Sequence, residues 1–216
     1  MKVELISYSQ PPDKNHSLQD MIAYCARVSN PANQSNTETN DKLIRYLIKN
    51  FHWSPFEMVN ICIEIETTRD IARQILRHRS FSFQEFSQRY AIADLGFEHK
   101  EARIQDKKNR QNSIETEDLH LEEEWENIQD RVAEIAQVSY NWAIQNGIAK
   151  EQARAVLPEG MTKSRMYMNG TLRSWIHYIQ LRSGNGTQKE HREVAIACAK
   201  SIGSIFPMIN EFLSDK

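Results

Sequence analysis

The chain has 216 residues, of which 40% are hydrophobic and 26% charged, a globular composition that excludes disordered, collagenous and coiled-coil classes. Lys+Arg 27 against Asp+Glu 29 leaves a formal net charge of −2, short of the positive excess expected of a duplex-DNA binder. The three cysteines, Cys25, Cys62 and Cys198, are odd in number and scattered, which argues against a disulfide framework or a cysteine-based zinc site. No basic segment with an apolar run opens the chain, and no apolar stretch approaches membrane-spanning length. The expectation is a cytoplasmic protein without membrane or nucleic-acid partners.

In chain order, residues 2–8 predict a short strand. Residues 17–29 predict a helix with Ser17 as N-cap. A polar loop leads to a second short helix over 41–50. Residues 57–67 alternate, with Val59, Ile61, Ile63 and Ile65 on one face, the pattern of a half-buried strand. It runs into a helix over 68–79 with Ile71, Ala72, Ile75 and Leu76 as its apolar stripe. Residues 98–117 are strongly polar and read as a loop. A long amphipathic helix follows, in which Leu121, Trp125, Ile128, Val132, Ile135 and Trp142 predict packing along most of its length. A short helix over 150–158 stops at Pro158, and a strand or turn around Met166–Gly170 leads to a helix over 172–183. Thr187-x-x-Glu190 reads as a capping box opening the last helix, through about Phe206. The fold class is α+β, a single helix-rich domain over 1–216 with a small, mostly antiparallel sheet.

The chemistry concentrates in residues 69–89. Arg69, Arg73 and Arg77 stack four apart on one helix face, beside Gln74 and His78, and Arg79 and Arg89 follow. Such cations repel unless an anion sits among them, and guanidinium groups suit bidentate phosphate contacts. Two other readings compete with that one. One is a solvated helix face. The other is an RNA-binding surface with Phe81, Phe83 and Phe86 as stacking platforms.

Arg77-His78-Arg79, then Ser87 after seven residues, with Glu85 and Arg89-Tyr90 around it, resembles the signature of flavin-dependent thymidylate synthases. Other segments resemble that family in order. They are Ala26–Ser29, His52–Glu57, Ala153-Arg154 to Leu157-Pro158, Thr171-Leu172-Arg173 with His177 and Leu181-Arg182, and Gln188-x-Glu190-x-Arg192. Two positions depart from its pattern. Phe51 stands where glycine is usual, and Met58 where a second histidine is common.

The resemblance implies methylation of dUMP to dTMP, with methylenetetrahydrofolate as carbon donor, FAD as hydride carrier and NADPH or NADH reloading it. It implies FAD contacts from Ser54, Arg77, His78, Arg79, Glu85, Thr171, Leu172, Arg173 and His177. It implies dUMP contacts from Gln74, Arg77, Glu85, Phe86, Ser87, Gln88, Arg89, Arg154 and Arg182. Arg182 would face the uracil edge, and His52 would line the flavin and folate side. Ser87 would hydrogen-bond rather than attack, since no Gly-x-Ser-x-Gly elbow surrounds it. The three cysteines read as small buried hydrophobes rather than nucleophiles. No Rossmann-type glycine fingerprint follows any strand, and His16, His99, His120 and His191 read as surface residues without metal-ligand spacing. Members of the family are homotetramers with FAD at subunit junctions, and no metal is implied.

Overall fold

The computed structural model describes residues 1–214. Its centre is a pair of antiparallel strands, β2 (Asn60–Thr68) and β6 (Lys163–Thr171), in register from Asn60 opposite Thr171 to Thr68 opposite Lys163. β1 (Lys2–Tyr8) pairs antiparallel with β2, and β3 (Ser82–Glu85) with β6, giving the order β1-β2-β6-β3. Alternation sorts the two faces. Ile61, Ile63 and Ile65 with Met166 and Met168 are buried in the main core, while Glu66 pairs with Arg165 on the opposite face.

Helices cover the apolar face. α1 (Leu18–Ala26) opens with the capping box of Ser17 and Asp20, each side chain accepting from the other's backbone N–H at 3.2 and 2.7 Å. After it, Arg27 is buried and donates to Asn36 O at 2.7 Å and Asn40 Oδ1 at 2.5 Å, pinning the polar loop to α2 (Asn40–Lys49). β2 and β6 run straight into α3 (Arg69–Ile75) and α6 (Leu172–Arg182), with Thr68 and Thr171 at the N-caps. Because these strands are antiparallel, the two helices start at opposite ends of the sheet and run toward each other. α7 (Lys189–Gly203) completes the layer through Val194, Ala195, Cys198, Ala199 and Ile202.

Several expected boundaries move. The strand expected from 57 begins at Asn60, because Pro55 continues a tight helical turn over Ser54–Met58. The helix expected to 79 ends at Ile75, and the Phe/Ser run after it forms β3. The polar segment expected as a loop contains a hairpin, β4 (Arg103–Gln105) with β5 (Ser113–Glu115). Its turn is built on Asp106, whose Oδ1 accepts from Lys108 N–H at 2.7 Å and Asn109 N–H at 3.2 Å. The Thr187 capping box does not form; Gln188 takes the N-cap position of α7, and Glu190 has other partners.

The larger difference lies in α4 (Leu119–Gln145), followed by the one-turn α5 (Lys150–Ala153). α4 turns Gln129, Ala136, Tyr140 and Ala143 inward, and Tyr140 seats on Ala143 and Ala153 in a satellite core. The predicted stripe faces outward instead: Ile135 is 67% and Trp142 60% exposed. The expected packing along most of the helix is thus not seen among the described residues, apart from Trp125, whose Nε1 donates to Lys100 O at 2.9 Å.

Close packing at Gly170 yields the first prediction. A side-chain carbon built there would come within 2.7 Å of Phe81 Cε1, and Phe81 in turn packs edge-on to Trp175 with centroids 4.9 Å apart. Gly170→Ala should therefore destabilise the chain by about 1–3 kcal/mol, measured by chemical denaturation; an unchanged midpoint would contradict this packing.

Candidate active site

The approach of α3 and α6 brings their C-terminal ends together. Arg182, on the last turn of α6, donates from Nε to Nε2 of His78 at 3.0 Å. An imidazole nitrogen can accept only when it carries no proton, so His78 is neutral with its proton on Nδ1. Burial, then the charges of Arg182 and Arg77, lower its pKa to about 4, which keeps it neutral at physiological pH. The guanidinium is thereby held by Nε, leaving its terminal nitrogens for a ligand.

Behind this pair lies a buried layer. Tyr178 stands edge-on to His78 with centroids 4.9 Å apart, and its hydroxyl is 3.1 Å from His191 Nε2. His191 Nδ1 is 3.2 Å from Gln74 Oε1, and Gln74 Nε2 donates to Gln188 Oε1 at 2.7 Å. The expectation of a surface His191 is thus overturned, for its side chain is fully buried. The signal was available. His191, Val194, Ala195, Cys198 and Ile202 follow helical spacing, so His191 heads the apolar stripe of α7.

A second group surrounds the Ser54–Met58 turn. Arg173, in the first turn of α6, pairs with Glu57 at 2.5 Å, and His177 packs edge-on to Trp53 at 4.9 Å. Burial, then Arg173, lower the His177 pKa. Ser54 is exposed on this turn, and Thr171 Oγ1 accepts from Ser174 N–H at 3.2 Å. His52 is exposed nearby, edge-on to Tyr46 at 6.0 Å. Phe51 before it adopts φ 58°, the left-handed backbone that favours glycine.

A third group gathers around the carboxylates Glu85 and Glu151. Glu85 accepts from Ser164 Oγ at 2.8 Å and pairs with Arg69 at 3.4 Å. Arg89 pairs with Glu151 at 3.2 Å, while Arg154 donates to Glu151 O at 3.3 Å. Ser87 Oγ accepts from Arg89 N–H at 3.4 Å, with no general base hydrogen-bonded to it among the described residues. Gln88 is buried, and its Nε2 has no partner among the described residues. Phe86 continues from β3, its N–H donating to Arg165 O at 2.8 Å. Arg77 and Arg79 are exposed and enter no ion pair among the described residues, whereas Arg69 and Arg73 are bound to Glu85 and Glu159.

Leu172 does not join these groups. Its side chain is fully buried in the core and its N–H donates to Val59 O at 2.8 Å. The stacking-platform reading also loses its support, because Phe81 and Phe83 pack against the main core instead of facing solvent. Of the three cysteines expected to be buried, only Cys198 is; Cys25 and Cys62 are partly buried. Cys198 is fully buried and desolvation pushes its pKa far up, while burial also raises that of Cys62.

An arginine held beside a neutral histidine, with unpaired arginines in reach, defines a site for an anionic, nucleotide-like ligand. The family model described as thymidylate synthase complementing protein matches residues 4–208. A probable flavin-dependent thymidylate synthase of Paramecium bursaria Chlorella virus 1 is 46% identical over 214 residues, 99% of both chains. The flavin-dependent thymidylate synthase of Synechocystis sp. is 48% identical over 213 residues, 97% of both chains. The crystal structure of a UMP/dUMP methylase from Streptomyces cacaoi bound with 5-Br dUMP superposes with a TM-score of 0.83 at 26% identity, covering 98% of this chain and 93% of that one. This chain belongs to the flavin-dependent thymidylate synthase family.

The pair of neutral histidines makes stability depend on acid. His78 and His191, with pKa values lowered from 6.5 to about 4 and about 3, refuse protons that the unfolded chain accepts. Their contribution is complete above pH 6.5 and declines as pH falls from there toward those lowered values. The chain without ligands should thus lose melting temperature between pH 7 and pH 5, and His78→Asn should reduce that loss. An equal loss in both proteins would contradict the assignment.

Proposed function

We propose that the chain methylates dUMP to dTMP with methylenetetrahydrofolate as the carbon donor, FAD as the hydride carrier, and NADPH or NADH as the reductant that reloads it. The observation that carries the reading is the Arg182–His78 contact. A guanidinium fixed at Nε presents two terminal nitrogens in a plane, suited to the edge of a uracil ring. A fixed cation there favours the N3-deprotonated ring and so makes C5 more nucleophilic toward the methylene donor. No enzyme cysteine is required. Arg89, Arg154 and Arg77 would neutralise the nucleotide phosphate, with Gln74, Glu85, Phe86, Ser87 and Gln88 completing the pocket.

The donor set also suits FAD. Arg77 and Arg79 are exposed cations without carboxylate partners among the described residues, and Ser54, Arg173 and His177 lie together around one turn. When bound and reduced, FAD supplies the hydride. His78, Glu85 and Thr171 would meet it from the nucleotide side, while Leu172 holds the start of α6 in the core. His52 would line the folate edge.

The same reading extends to a single domain over 1–216 and to a homotetramer with FAD at subunit junctions. One contiguous core includes members from Leu18 to Ile209, which supports the first. The exposed stripe of α4 supports the second, since a seam of Ile and Trp on a 27-residue helix requires a cover. Among the described residues no helix is long and apolar enough to cross a membrane, in keeping with a cytoplasmic enzyme.

The purified protein should show a flavin absorbance spectrum that responds to dUMP. Arg182→Ala should lower turnover roughly 100-fold or more while flavin content stays near wild type. Arg79→Ala should instead lower flavin retention about tenfold. Loss of flavin with unchanged dUMP affinity in Arg182→Ala would contradict its placement at the uracil. Ile135→Asp should dissociate the assembly in light scattering; an unchanged mass would contradict the seam.

A further inference from the structure

The buried layer behind Arg182 is a hydrogen-bond chain whose direction is set at one end. Glu190 sits there as an acceptor, taking Arg103 from β4 at 2.5 Å and Gln188 Nε2 at 2.9 Å. Its pKa is lowered: burial opposes this, but the hydrogen bonds of its own backbone and Gln188, together with Arg103, prevail. A carboxylate donates nothing, so Gln188 must spend its amide N–H on Glu190 and offer its carbonyl oxygen to Gln74. Gln74 then donates from Nε2 at 2.7 Å and presents Oε1 to His191. His191 Nδ1 must therefore carry the proton. Its Nε2 is left as an acceptor for the Tyr178 hydroxyl at 3.1 Å, which burial keeps protonated by raising its pKa well above the usual value. One tautomer of one neutral ring satisfies every contact.

We propose that His191 is a positioning residue of the nucleotide site: as the Nδ1–H tautomer it fixes the amide of Gln74 for dUMP while bracing Tyr178 against His78. The inference rests on the assignment of Gln74 to dUMP. His191 itself is fully buried; it acts through its two neighbours. The arrangement couples both sides of the pocket. Gln74 hangs from one ring nitrogen, and the other reaches the His78–Arg182 pair through Tyr178. It also ties the pocket to the β4–β5 hairpin, since Arg103 anchors the acceptor end of the chain.

The two amide substitutions separate the two ring nitrogens. Asn places its amide N–H near the position of Nδ1, whereas Gln reaches the position of Nε2. In the flavin-loaded enzyme, His191→Gln should raise the KM for dUMP about tenfold with flavin content unchanged. His191→Asn should restore the KM to within about twofold of wild type. Equal KM values in both variants and wild type, or an equal loss in both accompanied by loss of flavin, would overturn the proposal. Nitrogen-15 spectra of histidine-labelled wild-type protein provide a test that needs no variant. At neutral pH the His191 ring should report Nδ1–H, and an Nε2–H or doubly protonated ring would overturn the proposal. Wild-type enzyme that binds no dUMP would instead defeat the functional reading on which it rests.

Discussion

A guanidinium donating to an imidazole persists only while that imidazole stays uncharged. The site around Arg182 depends on this constraint. A protonated His78 would repel Arg182 and have no lone pair at Nε2 to offer it. The fold enforces neutrality by half-burying His78 between Tyr178 and two arginines, so that desolvation and like charge act in the same direction. The outcome is an oriented cation whose terminal nitrogens stay free, the arrangement a uracil edge calls for.

The backbone makes that contact possible. β2 and β6 pair along their full lengths, and each passes into a helix without an intervening loop. Antiparallel pairing sends α3 and α6 toward each other, and the contact forms where they end. The arginines in and after α3 divide by partner: Arg69 and Arg73 pair with Glu85 and Glu159, whereas Arg77 and Arg79 enter no ion pair among the described residues. A near-neutral chain thus concentrates arginines over residues 69–89, and its acidic counterweight lies in the region of α4.

Much of this was legible in the sequence. Period-two alternation located β2, an apolar stripe located α3, the helices of α6 and α7 were expected close to where they lie although the Thr187 capping box invoked for α7 does not form, and the spacing of Arg77, His78, Arg79 and Ser87 pointed to the family. What escaped depended on long-range pairing. β3 has little pattern of its own and is a strand because β6 offers it an edge. The strands of the β4–β5 hairpin are three residues each, with Ile104 opposite Ile114 on one face, too short for alternation to mark them. The Thr187 box lost its acid to Arg103, a residue 87 positions away. His191 escaped because a lone histidine is usually exposed, whereas here it heads the apolar stripe of α7. The α4 stripe was expected to pack, but among the described residues Ile135 and Trp142 face outward.

In the proposed reaction a fixed arginine and a flavin hydride replace the enzyme thiol. Turnover of dUMP in deuterated water, where the transferable hydrogen of reduced flavin exchanges to deuterium, tests it most directly. Mass spectrometry should find one non-exchangeable deuterium in the dTMP formed, with the folate product left as tetrahydrofolate. Unlabelled dTMP together with dihydrofolate would place the reducing hydride on the folate and contradict the claim.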